Sequence, residues 1–180
     1  MTLTDDIRSC TACPSLVATR TTVVVGSTPP GARLLVVGEA PGAQEDETGV
    51  PFVGRSGQLL DRLLAEAGLP REQVAVLNTV KCRPPDNRVP TRVETAACRP
   101  WLTAQLAVLE PALTVTLGLS ATAWFLGKVT LSSVRGRVVE VDGRQVLPTY
   151  HPAAALRGGP RGEPLRLLRE DLALAVRTVG

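Results

Sequence analysis

Short apolar runs alternate with amphipathic segments along the chain. Runs typical of buried strands are predicted at 33–37, 74–77 and 113–117. Helix-start signals and helical periodicity predict helices at 56–67, 91–109, 120–126 and 164–176. A hairpin is predicted where 134–141 and 144–147 flank Asp142-Gly143, and 43–55 is predicted to be a polar loop. Strands that alternate with helices indicate an α/β fold, with a mostly parallel sheet covered on both faces.

Three polar side chains directly follow predicted strands. Glu39 comes after the first strand, Asn78 after the second, and His151, the single histidine of the chain, after the hairpin. Ligands of parallel sheets bind beyond the carboxyl ends of the strands. The pattern therefore predicts that these three side chains meet in one site.

Length and composition indicate one globular domain that spans residues 1–180. Of the 180 residues, 44% are hydrophobic, which is enough for a sizeable core. The net charge of +3 is weak support for a nucleic-acid partner, although 128–180 carries nine basic residues against five acidic ones. The sequence contains no signal-peptide pattern and no apolar run of membrane-spanning length. We therefore expect a cytoplasmic monomer with no membrane attachment.

The four cysteines are spaced as two pairs that folding would have to bring together. Cys10 and Cys13 form a C-x2-C pair, and after 68 further residues Cys82 and Cys98 form a C-x15-C pair. Four thiolates suit either a zinc ion or a [4Fe–4S] cluster, and the spacing does not separate the two. Buried free thiols and two disulfides are the other interpretations. The cysteines predict a structural metal centre that ties segment 1–20 to the rest of the domain.

Four motifs in order resemble the family 4 uracil-DNA glycosylases, and the resemblance extends over nearly the whole chain, from Cys10 to the final helix. They are GEAPG at 38–42 followed by ED at 45–46, GVPFVG at 49–54, LNTVKCRPP at 77–85 and HPAAALR at 151–157. The resemblance implies a three-layer α/β/α fold, which we predict to contain a four-stranded sheet, and a [4Fe–4S] cluster on the four cysteines. It also implies a repair enzyme that flips uracil out of single- or double-stranded DNA. Such an enzyme hydrolyses the glycosidic bond, releases free uracil and leaves an abasic site.

Uracil recognition requires a flat surface and an amide that both donates and accepts hydrogen bonds. The resemblance favours Phe52 as the stacking ring and Asn78 as the reader of N3–H and O4, a pattern that cytosine reverses. It also favours Glu45 as a neighbour of C5 that excludes thymine, and the main-chain N–H of Ala40 as a contact to the base. The alternatives are that Phe52 packs in the core, that Asn78 caps a turn and that Glu45 caps main-chain N–H groups.

Bond cleavage places negative charge on uracil O2 and positive charge on the sugar. His151 is the candidate donor to O2, and Glu39 the candidate carboxylate that positions the attacking water. A structural histidine and a loop-capping glutamate are the alternatives.

DNA contacts are predicted from the last motif and from scattered basic residues. Leu156 is the candidate wedge that fills the gap left by the flipped nucleotide, and Arg157 would contact phosphate or base. Further candidate phosphate contacts are Lys81, Arg83, Arg88 and Arg161.

Two other functions compete with this reading. A relative that traps uracil-DNA covalently carries a histidine loop after the second strand, but 81–88 contains no histidine, and Ala40 stands where that relative has glutamine. A non-catalytic nucleotide-binding protein would use 38–42 as a phosphate loop. That segment lacks the G-x-G-x-x-G and GK[ST] patterns.

Overall fold

The computed structural model describes residues 2–180 and contains one five-stranded sheet. The strands are β1 (Leu34–Gly38), β2 (Val74–Asn78), β3 (Leu113–Leu117), β4 (Val139–Val141) and β5 (Arg144–Thr149). Their order is β2-β1-β3-β5-β4, and all neighbours are parallel except the antiparallel pair of β4 and β5. The α/β class and the mostly parallel sheet are confirmed.

The prediction of four strands is wrong because the hairpin adds an edge strand. Asp142 and Gly143 both have positive φ, 49° and 74°, which turns the chain tightly enough for β4 to pair with β5. The predicted strand 134–141 is shortened at its start. A short helix, α7 (Leu131–Val134), comes first, and β4 begins only at Val139.

Nine helices surround the sheet within the described residues. In chain order they are α1 (Leu3–Arg8), α2 (Pro14–Val17), α3 (Ala43–Thr48), α4 (Arg55–Glu66), α5 (Arg92–Leu109), α6 (Gly118–Leu126), α7, α8 (Pro152–Gly158) and α9 (Glu163–Val179). Single 3-10 turns lie at Arg71–Gln73 and Pro85–Asn87. None of these helices is both long enough and apolar enough to cross a membrane.

Alternate side chains of β1 separate two hydrophobic layers. Leu34 and Val36 pack with apolar residues of α4 and α9, whereas Leu35 and Val37 pack with those of α5 and α6. Helices therefore cover both faces of the sheet, and the three-layer α/β/α arrangement is confirmed.

A third hydrophobic cluster joins the N-terminal segment to the domain. Ile7 of α1 and Leu16 of α2 pack with Val23, Val80 and the buried cysteines. Asp46 adds a polar attachment, because its buried carboxylate accepts the main-chain N–H groups of Thr21 and Thr22 at 2.9–3.2 Å.

The prediction of a polar loop over 43–55 is wrong in its first half. Residues 43–48 form α3, and Glu45 at the third helical position accepts the main-chain N–H of Gly42 at 3.1 Å, as in a capping box. The glutamate three residues after Gly42 is the local sequence signal for the start of this helix.

Candidate active site

The parallel strands bring the predicted polar residues to one edge of the sheet. Gly38 at the end of β1 pairs with Asn78 at the end of β2, and His151 lies two residues after β5. The end of β2 is tied to the turn after β1, since Thr79 N–H donates to Gly38 O and Val80 N–H donates to Glu39 O, each at 3.0 Å.

Gly38 lets an amide and an aromatic ring approach the end of β1 closely. A Cβ at Gly38 would lie 2.5 Å from Asn78 Oδ1 and 2.5 Å from Phe52 Cζ, so no larger residue fits without displacing one of them. Asn78 is 2% exposed, and its Oδ1 has no hydrogen-bond partner among residues 2–180. A buried amide oxygen without a partner is costly, and the N–H group of a ligand would satisfy it.

Phe52 is held by its loop in a strained conformation. Its φ is 54°, which is rare for a bulky residue, and its side chain is 7% exposed. Two close contacts fix the loop. Gly57 lets the main chain of α4 approach Phe52 O, where a Cβ would clash at 1.7 Å. The carboxylate of Glu45 accepts the N–H groups of Val53 and Gly54 at 2.9 and 2.8 Å.

Glu45 therefore acts here as a main-chain anchor. Both of its carboxylate oxygens are used, one by the turn at Gly42 and the other by the loop that follows Phe52. This is the capping arrangement that the sequence left open as an alternative. The structure does not test the predicted contact with C5 of uracil.

His151 is a neutral ring with a defined tautomer. The main-chain N–H of Ala153 donates to Nδ1 at 3.0 Å and caps α8, so the proton of the neutral imidazole lies on Nε2. Burial, and secondly the charge of Arg157, lower the pKa of His151 to about 4. The ring centroid lies 5.8 Å from that of Phe52. At neutral pH the site therefore presents one imidazole donor, Nε2–H.

Glu39 and Ala40 lie on the turn between the pocket and the cysteines. Both are partly buried. The hydrogen bonds to Glu39 reach its main-chain oxygen, from Val80 N–H and from Thr79 Oγ1 at 2.7 Å. The methyl group of Ala40 packs against the third hydrophobic cluster.

Leu156 and Arg157 are exposed on α8, the helix that His151 caps. Leu156 is 37% exposed although it is a large apolar residue. Arg157 is close enough for its charge to act on the imidazole of His151. The structure thus places an exposed apolar side chain and a cation beside the pocket.

The remaining basic candidates differ in their surroundings. Lys81 is 1% exposed, so its prediction as a phosphate contact is wrong. Arg88 is exposed, but its guanidinium binds both carboxylate oxygens of Glu94 at 2.7 and 2.9 Å. Arg83 donates to Asn87 Oδ1 at 2.7 Å, and Arg161 is exposed. Arg83, Arg88 and Arg161 stay predictions.

The four cysteines line one small cavity next to the pocket turn, together with Trp101 and Arg20. All four are free thiols, so disulfides between them are absent from the described residues. No set of three or more His, Cys, Asp or Glu side chains within residues 2–180 is arranged to hold a single metal ion. The fold thus brings the two cysteine pairs to one cavity, as joint ligation by all four would require.

Nitrogen donors surround the sulfurs of this cysteine cavity. Arg20 donates to Cys82 Sγ at 3.0 Å, Trp101 Nε1 to Cys10 Sγ at 3.2 Å, and the main-chain N–H of Lys81 to Cys98 Sγ at 3.3 Å. Burial raises the pKa of Cys98 to about 11. The donor set suits anionic sulfur ligands.

Sequence reasoning missed several residues that build the site. Gly38 is part of the GEAPG motif, but its close contact with Asn78 and Phe52 is visible only in the structure, and Lys81 is buried where an exposed side chain was predicted. The carboxylate of Asp171 binds Arg135 at 2.9 Å and accepts from Thr149 at 2.6 Å, two residues before His151. A charged residue on the apolar face of the predicted last helix was the available signal for Asp171.

The fold is α/β/α, and the ends of its parallel strands bring together an amide, an aromatic ring and an imidazole. Residues 25–173 match the family model described as the Uracil DNA glycosylase superfamily. The chain belongs to this superfamily, and within it to the type-4 group.

Curated relatives agree with this membership. The type-4 uracil-DNA glycosylase of Thermotoga maritima is 45% identical over 176 residues, which cover 96% of this chain and 91% of the relative. The type-4 enzyme of Sulfurisphaera tokodaii is 42% identical over 84% of this chain and 73% of the relative. A type-5 uracil-DNA glycosylase of Pyrobaculum aerophilum is 33% identical over 81% and 78%. The resemblance stated from the motifs is confirmed.

Proposed function

We propose that this chain is a DNA-repair enzyme that flips uracil out of DNA and hydrolyses its N-glycosidic bond. The products are free uracil and an abasic site, as in base excision repair. The observation that carries the proposal is the unpartnered Oδ1 of buried Asn78, which lies beside Gly38 together with the ring of Phe52. Enzymes that act on a base must remove it from the stack and bind it in a pocket.

Recognition of uracil rests on the polarity of the Asn78 amide. Oδ1 accepts from uracil N3–H, and the amide N–H group donates to O4. Cytosine presents an acceptor at N3 and a donor at N4, so it would leave the buried amide unsatisfied on both sides. Phe52 stacks on the base. Glu45 contributes to the exclusion of thymine by fixing the loop of Phe52 next to C5, since its carboxylate is already used by main-chain N–H groups.

Bond cleavage uses the neutral imidazole of His151. As the bond between C1′ and N1 stretches, negative charge grows on O2, and Nε2–H donates to it. The cap from Ala153 orients the ring without using Nε2. Glu39 positions the water that attacks C1′ and stabilises the positive charge on the sugar, and the N–H of Ala40 contacts the base.

The substrate is uracil in single- or double-stranded DNA, contacted beside the pocket. Leu156 enters the gap left by the flipped nucleotide, which suits an exposed apolar side chain on α8. Arg157 binds phosphate or base next to it, and Arg83 and Arg88 add phosphate contacts. The protein would act as a monomer in the cytoplasm.

The four cysteines, which line one cavity, would hold a [4Fe–4S] cluster. Four cysteines would also suit zinc, and it is the resemblance to the type-4 enzymes that favours the cluster. When bound, the cluster supplies a structural cross-link between the N-terminal segment and the loop after β2. N–H donors from Arg20, Trp101 and Lys81 stabilise the thiolates.

A glycosylase assay on uracil-containing oligonucleotides tests the proposal. We expect His151→Ala and Asn78→Ala each to lower the excision rate at least about tenfold, which corresponds to roughly 1.4 kcal/mol. Glu66→Gln, which removes an exposed ion pair with Arg169, serves as the control and should keep full activity. Near-wild-type rates in both site variants would refute the assigned roles. A protein–DNA adduct that survives denaturing electrophoresis would instead favour covalent trapping.

A further inference from the structure

Lys81 is a buried charge that the proposed chemistry does not use. Its side chain is 1% exposed, and no ion pair joins it to a carboxylate anywhere in the described part of the chain. An ammonium group removed from water is costly unless it is hydrogen-bonded and compensated by negative charge. A lysine that only filled space would be inferior to methionine or leucine at this position.

Each polar group of Lys81 is engaged with a different part of the site. Nζ donates to the main-chain oxygen of Asn78 at 2.8 Å, and the main-chain N–H donates to Cys98 Sγ at 3.3 Å. The main-chain oxygen accepts from Val24 N–H at 2.8 Å. One residue therefore contacts the uracil reader, the cysteine cavity and the N-terminal segment.

We propose that Lys81 is a positioning residue that couples the cysteine centre to uracil recognition. It holds the carbonyl at the end of β2, so that the side-chain amide of Asn78 keeps its position beside Gly38 and Phe52. The inference rests on the proposed function, because it concerns the reader of that same site.

The hydrogen bond from Lys81 Nζ reaches the main-chain oxygen of Asn78, the last residue of β2. Thr79 and Val80 are tied to the β1 turn by their N–H groups, which leaves the carbonyl of Asn78 to be held from within the loop. A displacement of about 1 Å at a recognition group can cost a hundredfold in rate.

A double-mutant cycle on kcat/KM isolates this positioning role. In the cluster-loaded enzyme, Lys81→Met should raise KM for uracil-DNA and lower kcat/KM about tenfold or more, because the Asn78 amide is no longer aligned. In the Asn78→Ala background the same change should alter kcat/KM by no more than about twofold, because the amide is gone. A merely structural role of Lys81 would give equal effects in both backgrounds.

The matched control is Gln105→Met. Gln105 is also buried, and it donates from its side chain to a main-chain oxygen, Val25 O at 2.9 Å, away from the pocket. We expect this variant to leave kcat/KM unchanged. Iron content and visible absorbance, measured on every variant, report the state of the cysteine centre independently of activity.

Two results separate failure of the inference from failure of the proposed function. A wild-type protein without uracil release would overturn the proposed function itself. An active wild type with additive effects of Lys81→Met and Asn78→Ala would overturn only the coupling. If Lys81→Met does not fold or does not load iron, the cycle is repeated with Lys81→Gln, whose shorter side chain does not span to Asn78 O. Additive effects in that cycle likewise overturn the inference.

Discussion

His151 combines a neutral ring with a cost for protonation in the folded state. Its pKa lies near 4 in the fold, because of burial and then of Arg157, against about 6.5 in an unfolded chain. The unfolded imidazole therefore takes up a proton as the pH falls below about 6.5, whereas the folded one does so only near pH 4. Folding stability that His151 contributes at pH 7 is lost over this window, by roughly 3 kcal/mol at pH 4.

Urea unfolding of wild type and His151→Gln at pH 7, 5.5 and 4 measures this contribution. The difference between the two unfolding free energies should change in favour of the variant as the pH falls, since glutamine does not titrate. The comparison cancels the carboxylates that both proteins share. A difference that stays constant with pH would contradict a His151 imidazole that stays neutral in the folded protein down to about pH 4.

Gly38 defines the pocket by the absence of a side chain. We expect Gly38→Ala to lower kcat/KM by about a hundredfold or more, because its methyl group displaces the Asn78 amide or the Phe52 ring. Overpacking should cost about 1–3 kcal/mol in urea unfolding.

Ala75→Val is the control for Gly38→Ala, since it adds methyl groups to the buried start of β2, at the other end of the strand. Excision by Ala75→Val should remain within about threefold of wild type at a comparable loss of stability. Equal losses of activity in the two variants would show that stability, and not pocket volume, decides the rate.

At the scale of elements, one buried carboxylate links three segments close to His151. Asp171 of α9 accepts from Arg135, in the loop after α7, and from Thr149 at the end of β5. Asp171→Ala leaves the Arg135 guanidinium without its partner, and such losses in buried pairs cost about 3–5 kcal/mol. We expect a loss of that size in urea unfolding, and a lower kcat/KM as β5 loosens before His151.

Glu66→Gln is the comparison for the loss of unfolding free energy in Asp171→Ala. Glu66 pairs with Arg169 on the surface, where both side chains are more than 40% exposed, and such pairs contribute about 1 kcal/mol or less. Similar destabilisation by the two changes would contradict the anchoring role of Asp171.

Local sequence pattern predicted the elements whose formation depends mainly on neighbouring residues. The three apolar runs became β1, β2 and β3 with bounds within one residue, since buried strands need only a short hydrophobic stretch. The failures occurred where a long-range partner decides the outcome. β4 begins only where β5 is available for pairing, and α3 is stabilised by Glu45, which also bonds Val53 and Gly54.

For the whole molecule, the sequence indicated which residues carry chemistry but not how they are packed. Asn78 and His151 were identifiable because strand ends converge in a parallel sheet. The burial of Lys81 was not, because it depends on Asn78, Cys98 and Val24 arriving around it from separate segments. The use of the Glu45 carboxylate by the Phe52 loop depends on tertiary structure in the same way.

The cysteine centre joins segments that are distant in the sequence, so its removal should loosen the molecule unevenly. The cavity is lined by residues of 10–23, 80–82 and 97–101, and these share the third hydrophobic cluster. If the four cysteines hold the proposed cluster, its removal by chelation should raise hydrogen exchange in 2–20 and 79–101 about tenfold or more, whereas β1 and β3 stay protected by the two layers of the main core.

Hydrogen bonds that do not involve the cysteines should limit the segment in which hydrogen exchange rises. Asp46 holds Thr21 and Thr22, and Gln105 holds Val25, so exchange should fall back to the holoprotein level near residue 21. Asp46→Asn weakens the first anchor and should move that boundary toward β1 in the chelated protein. A uniform rise across all strands would instead mean that the centre supports the entire fold. In that case, loss of uracil binding on chelation would reflect unfolding and not the connection through Lys81.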